Sequence, residues 1–164
     1  MENVAREAGI AKGTLFLYYK NKEELVLAIM IGWVKELGNK FDSILESSSV
    51  PEEKLRSAVI AMLYQFDRRR DMTGYSIVMP VSQQAGVALR ELFAGNMKRI
   101  SLIISECAAK GLLTSEDPLF SASAIFGLCR GSNVYARSSG RRLSVQERAE
   151  RILNIFLNGT RKNK

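Results

Sequence analysis

Histidine is absent from the sequence, and cysteine and proline are scarce, with two and three residues in 164. Without histidine there is no Ser–His or Cys–His nucleophilic pair, no imidazole metal ligand, and no side chain whose ordinary pKa changes its charge near neutral pH. Cys107 and Cys129 stand apart in apolar, helix-patterned surroundings with no CxxC spacing. They read as buried thiols in a reducing compartment and not as a metal site. Neither a GxSxG elbow nor a phosphate-binding glycine loop is present, and the acidic residues fall mainly on helix faces patterned for solvent. The expectation is therefore a protein that is not an enzyme and carries no cofactor. No run of about 18 apolar residues occurs, and the amino terminus lacks a basic-then-apolar signal region. The expected location is the cytoplasm, with no membrane partner. Strand-type alternation is missing too.

Hydrophobic residues make up 46% of the chain and charged residues 25%, a balance that supports a buried core. The formal charge is +7 and the isoelectric point near 9.6. A basic surplus suits an anionic partner such as nucleic acid, and equally a merely soluble basic protein.

Apolar residues recur three and four apart almost throughout, which predicts an all-α fold. Leu25, Ile29, Trp33, Leu37, Phe41 and Leu45 mark a long amphipathic helix from Lys22 to about Ser47. Pro51, followed by Glu52 and Glu53, opens a second helix running to about Arg70, where the arginines at 68 to 70 suit the negative helix pole. A phosphate site is the sharper reading of those arginines and a solvated face the plainer one. Gly74 and Pro80 interrupt residues 71 to 84, read as short bent helices. A further helix spans about Gly86 to Lys110, with Gly111 as its stop. Ser115 or Asp117 can cap the helix that Pro118 begins, which runs to about Arg137. Ser144 and Glu147 form a capping box for the last, to about Asn158.

The opening stretch differs from these long helices. In "ENVAREAGIAKGTLFLYY" a first helix ends at Ala8, Gly9 takes the left-handed conformation of a turn, and a second helix starts near Lys12, which describes a helix-turn-helix. Val4, Ala8, Ile10, Leu15 and Tyr18 or Tyr19 can meet in a miniature core. Lys12, Gly13, Thr14, Phe16, Leu17 and one tyrosine remain outside it, at the end of the motif that enters the major groove. Thr14 and a tyrosine hydroxyl can donate to phosphate oxygens, and Lys20 and Lys22 can meet the flanking backbone.

"AREAGIAKGTLFLYYKNKEEL" closely resembles the DNA-binding signature of the TetR family of bacterial transcriptional regulators, roughly A-x-x-A-G-V-S-K-G-T-L-Y-x-Y-F-x-S/N-K-E-E-L. The resemblance covers about twenty consecutive positions, and beyond them only the helix layout is similar. It implies that Lys12, Gly13, Thr14 and Phe16 are recognition residues and that Tyr18 and Lys22 contact phosphate. Ala11 stands where a capping serine is usual, a weaker cap by ~1 kcal/mol, and Phe16 replaces the usual tyrosine. The family also carries a helix ahead of the stretch at which this sequence starts. Without that cover Val4, Ala8, Leu15 and Tyr19 would lose a packing partner.

The resemblance further implies that the remaining helices bind a small molecule and pair two subunits. It divides the chain into a truncated DNA-binding region, residues 1–24, and a ligand-binding and dimerisation domain, residues 25–164. Trp33, Met62, Tyr64, Phe66, Met79, Phe93 and Met97 are candidate linings for a small apolar or amphipathic effector, with ordinary core packing as the plain alternative. Ala124, Gly127 and Gly131 allow close helix approach across a dimer axis, with Leu128, Ile152, Ile155 and Phe156 as apolar contacts. The expected protein is a homodimeric regulator, a repressor in the family pattern, bound to palindromic double-stranded DNA and released by its effector. A dimeric small-molecule-binding helical protein that no longer binds DNA is the other reading.

Overall fold

The computed structural model describes residues 1–68, 83–141 and 143–160. Those residues form seven helices and no strand: α1 Glu2–Glu7, α2 Lys12–Tyr18, α3 Lys22–Glu46, α4 Pro51–Arg68, α5 Gln83–Ala109, α6 Pro118–Ser138 and α7 Val145–Thr160. The short helices expected within 71 to 84, and Arg69 and Arg70, lie outside the described residues.

Local chemistry sets most of the boundaries. Gly9 has φ +67°, and behind it the Gly9 N–H donates to the Arg6 carbonyl at 3.1 Å and the Ile10 N–H to Ala5 at 3.0 Å. This pair of bonds is the Schellman closure, which needs a left-handed residue after the helix. Gly111, with φ +71°, ends α5 by the same pair, from Gly111 to Ala108 and from Leu112 to Cys107. Of the two candidate caps for α6, Asp117 is used: Oδ1 accepts from the Leu119 and Phe120 N–H groups at 3.0 Å. Ser115 instead bonds the Ser121 hydroxyl. The capping box of α7 is complete, with Ser144 N–H donating to Glu147 Oε2 at 2.8 Å and Glu147 N–H to Ser144 Oγ at 3.1 Å.

α4 is the central helix of the bundle, packed against α3, α5, α6 and α7. Leu55, Ala58, Val59, Met62 and Leu63 are buried along it, and they share one core with Phe41 of α3, Ile100, Ile103 and Ile104 of α5, and Ile125 of α6. α7 closes that core with Ala149, Ile152, Leu153 and Phe156. Truncating a buried aromatic such as Phe41 would remove about 3–5 kcal/mol. α1 and α2 pack on each other. Ala5, Leu15 and Val26, one from each of α1 to α3, are buried but stand outside the main core.

Polar ties lock α3 at its carboxyl end. The Lys54 ammonium donates to the Leu45 carbonyl at 2.9 Å and to Glu106 at 3.1 Å. Arg99 grips Asp42 with two parallel bonds of 2.6 and 2.9 Å. The guanidinium hydrogen bonds hold the Asp42 carboxyl below its ordinary range, and the bond from the Ser144 backbone does the same for Glu147. A carboxylate depressed in the folded state contributes stability that is present above its unfolded pKa and lost as pH falls through the folded one. With ordinary values of 3.8 for Asp42 and 4.5 for Glu147, the loss begins as pH drops through that range. Urea midpoints compared between about pH 5 and pH 3 should therefore fall less for Asp42→Asn/Glu147→Gln than for the parent chain. Equal falls would show that neither carboxylate carries the acid sensitivity.

Candidate functional site

α2 buries one side chain, Leu15, and turns the rest outward. Lys12, Gly13 and Thr14 are exposed, as are Phe16 at 41%, Leu17 at 84% and Tyr18 at 76%. Lys12 reaches Glu2 at 3.4 Å with both side chains largely in solvent, a contact too weak to hold the ammonium from a phosphate. Ala11 supplies no side-chain cap to α2. Lys20 and Lys22 follow in the turn to α3 and are exposed. That turn is fixed from both sides: Asn21 Oδ1 accepts from the Glu24 N–H at 2.8 Å, and Glu24 Oε2 accepts from the Lys20 N–H at 2.8 Å. The orientation of α2 is thus tied to the first turn of α3.

The miniature core expected beneath α2 is thinner than the sequence suggested. Val4 and Ile10 are 41% and 42% exposed, Ala8 is exposed, and Tyr19 is half-buried. Helices of six and seven residues have little more than one turn in contact, and Ala5, Leu15 and Val26 use that area.

The second feature lies within the bundle. Val34 and Leu37 of α3, Met62, Gln65 and Phe66 of α4, Phe93, Asn96 and Met97 of α5, and Phe126 of α6 surround a cavity of about 50 Å³. Phe126 meets Phe66 at a centroid distance of 5.5 Å and Phe93 edge-on at 4.9 Å. Of the residues proposed to line an effector pocket, Met62, Phe66, Phe93 and Met97 converge here. Tyr64 does not: it is 49% exposed and faces a surface groove between α3 and α4. Trp33 is outside the lining and presents its backbone carbonyl to Gln65. Met79 lies outside the described residues. Gln65 and Asn96 were not anticipated, although a carboxamide inside an otherwise apolar helical stripe is a visible signal. Ligand pockets usually span about 300–1,000 Å³, so the helices must part to admit a molecule of that class.

The residues proposed for a dimer face divide. Ala124, Gly127 and Gly131 are exposed along one stripe of α6 with Phe120 at 72% and Val134 at 57%, and Ile155 of α7 is 59% exposed. Ile152 and Phe156 are different: they are 3% and 5% exposed and belong to the core of a single chain. Leu128 is half-buried against the same core. The correction has a simple cause, since α7 turns its strongest apolar stripe toward α4 and α6, leaving Ile155 on the other side.

Burial pushes the Cys107 thiol up to about 11 and the Cys129 thiol to about 12, so neither is a nucleophile near neutral pH. Among the described residues no three metal-ligating side chains are grouped, and no helix is long and apolar enough to cross a membrane.

Residues 1–29 match the family model described as bacterial regulatory proteins, tetR family. The Bacillus subtilis (strain 168) protein named "Uncharacterized HTH-type transcriptional regulator YhgD" is 36% identical over 73 residues, which is 44% of this chain and 38% of that protein. The matched part thus spans well under half of that relative's length. Among solved structures, a TetR/AcrR-family transcriptional regulator from Thermobifida fusca superposes with a TM-score of 0.77 at 22% identity, covering 98% of this chain and 86% of its own. The transcriptional regulator FadR from Bacillus subtilis, in complex with stearoyl-CoA, does so with a TM-score of 0.78 at 17% identity, covering 96% and 87%. The amino end of the chain thus matches the tetR-family model over residues 1–29, and its fold is similar to that of TetR/AcrR-family regulators.

Proposed function

We infer that the protein is a ligand-responsive transcriptional regulator. It binds palindromic double-stranded DNA as a homodimer, with residues 1–24 as the DNA-contact unit and residues 25–164 as the effector and dimerisation unit. The observation that carries this reading is α2, whose seven residues bury Leu15 and project lysine, threonine, phenylalanine and tyrosine from a glycine-fixed turn. Base edges and phosphates would meet Lys12, Gly13, Thr14 and Phe16, and Tyr18 and Lys22 would hold the flanking backbone.

The exposed stripe of α6, with Ile155 of α7, is the dimer face. Its small residues admit a second copy closely, and Phe120 and Val134 would be covered by it. A two-fold pair sets its recognition helices about 34–36 Å apart, one turn of DNA. The effector is a small apolar or amphipathic molecule received by the aromatic and thioether cavity. The stearoyl-CoA complex of the similarly folded FadR supports an acyl compound as the first to try. Binding would release DNA, the action of a repressor, to the extent that the effector prefers the non-binding arrangement.

Sedimentation and fluorescence anisotropy on duplex DNA from the region flanking the protein's own gene test this, with stearoyl-CoA as the probe. The expected result is a dimer whose affinity falls steeply with salt, by about 0.9 in the log–log slope per phosphate contact, and falls further with probe. The other reading is a dimeric small-molecule binder without DNA binding. A dimer that takes up the probe but shows no salt-dependent DNA binding would establish it.

A further inference from the structure

Two carboxamides on neighbouring helices donate to consecutive carbonyls of α3. Gln65 Nε2 reaches the Trp33 carbonyl at 3.2 Å, and Asn96 Nδ2 reaches that of Val34 at 2.9 Å. Both side chains are more than nine-tenths buried, at 7% and 3% exposed. Carbonyls inside a helix already receive an N–H from four residues on, so these bonds are additions to the ladder and not part of it. An amide placed among Met62, Phe66, Phe93 and Met97 is unfavourable unless it is hydrogen-bonded. Each therefore depends on α3 remaining where it is.

Gly38 makes the contact possible. A Cβ at that position would stand 2.8 Å from Asn96 Oδ1, closer than such atoms approach. The absent side chain lets the Asn96 carboxamide lie directly on α3. Farther along, the Asp42–Arg99 and Leu45–Lys54 ties hold the carboxyl end of α3 to α5 and α4, so movement of α3 pivots there. From Asp42 to Lys22 the helix is a lever of about 30 Å, and a tilt of about 10° carries α2 through roughly 5 Å.

The same two amides line the cavity. A molecule that opens it meets their N–H groups, and an oxygen acceptor on that molecule competes with the Trp33 and Val34 carbonyls for them. We propose that Gln65 and Asn96 are the polar recognition element of the effector site, selecting an apolar molecule that bears a carbonyl or carboxylate oxygen. In binding it, they exchange their bonds to α3 for bonds to the effector and so release the middle of α3 from α4 and α5. The regulatory consequence rests on the reading above, in which α3 carries the DNA-contact helix; the binding chemistry does not.

The test uses the full chain and three variants: Gln65→Met, Asn96→Leu, and Gly38→Ala, which displaces Asn96 without altering a cavity residue. Trp33, the single tryptophan, reports binding by its fluorescence. Probes are decanoate and 2-decanone, with decane as the control lacking oxygen. The parent chain should bind both oxygen-bearing probes at least about tenfold more tightly than decane, and each variant should lose most of that preference. Without any probe, amide exchange over residues 33 to 41 should be about tenfold faster in the Asn96→Leu and Gly38→Ala chains, with α6 and α7 unchanged. Equal binding of decane, no binding of any probe by the parent chain, retention of the preference in the variants, or unchanged exchange in α3 would each overturn the proposal. A chain that behaves as expected in these assays yet binds no DNA would refute the regulator reading and leave this one standing.

Discussion

Replacing Asp67 with alanine is expected to lower the unfolding free energy by about 3 kcal/mol, among the largest effects of any single surface-proximal substitution in the chain. Arg148 is the reason. Its side chain is 2% exposed, and Nη2 donates to Asp67 Oδ2 at 2.5 Å. Its Nε and Nη1 meet no acceptor among the described residues. Removing the carboxylate leaves a guanidinium inside the bundle, where a lone charge is far less well solvated than in water. Asp67 is 29% exposed, so water reaches the gap, which places the expected loss at the lower end of the range of about 3–5 kcal/mol for breaking a buried pair. The double substitution Asp67→Leu/Arg148→Met removes both charges and should come within about 1 kcal/mol of the parent chain or exceed it. Urea unfolding at neutral pH measures all three chains. If Asp67→Ala loses less than about 1 kcal/mol, the guanidinium is hydrated in place and the pair does not govern how α7 docks on α4.

The second large effect concerns DNA. Thr14→Ala, Tyr18→Ala and Lys22→Ala together should weaken binding to the duplex flanking the gene by about 100-fold, taking three phosphate or base contacts at ~1 kcal/mol each. The log–log salt slope should shrink by about 1, because one cation is removed. None of the three belongs to a buried core position, so circular dichroism and the urea midpoint should not change. That separation matters, since a weakened interface and a loosened fold otherwise look alike in a binding assay. Affinity within twofold of the parent, with folding unaltered, would mean that α2 is not the reading helix.

Much of the molecule was legible because its causes are local. The left-handed turn at Gly9, the glycine stop at Gly111, the proline start of α6 and the Ser144–Glu147 box each depend on residues within about one helical turn. Those features appear in the structure where the sequence placed them. The apolar pattern starts α5 at about Gly86, whereas the helix starts at Gln83, because a glycine in a first turn is tolerated and is not a boundary. The exposed face of α2 was equally readable, since a seven-residue helix with one buried position leaves little choice about the rest.

The sequence by itself determined the helical class, most helix boundaries, the glycine-hinged motif and its outward side chains, since hydrogen bonds between near neighbours along the chain dictate them. Only the tertiary structure decided that Ile152 and Phe156 face inward while Ile155 faces out, that Arg148 is buried against Asp67, and that Gln65 and Asn96 converge on α3, Asn96 across the space left by Gly38. Periodicity says that a stripe is apolar, but which helix covers it depends on contacts between residues tens of positions apart.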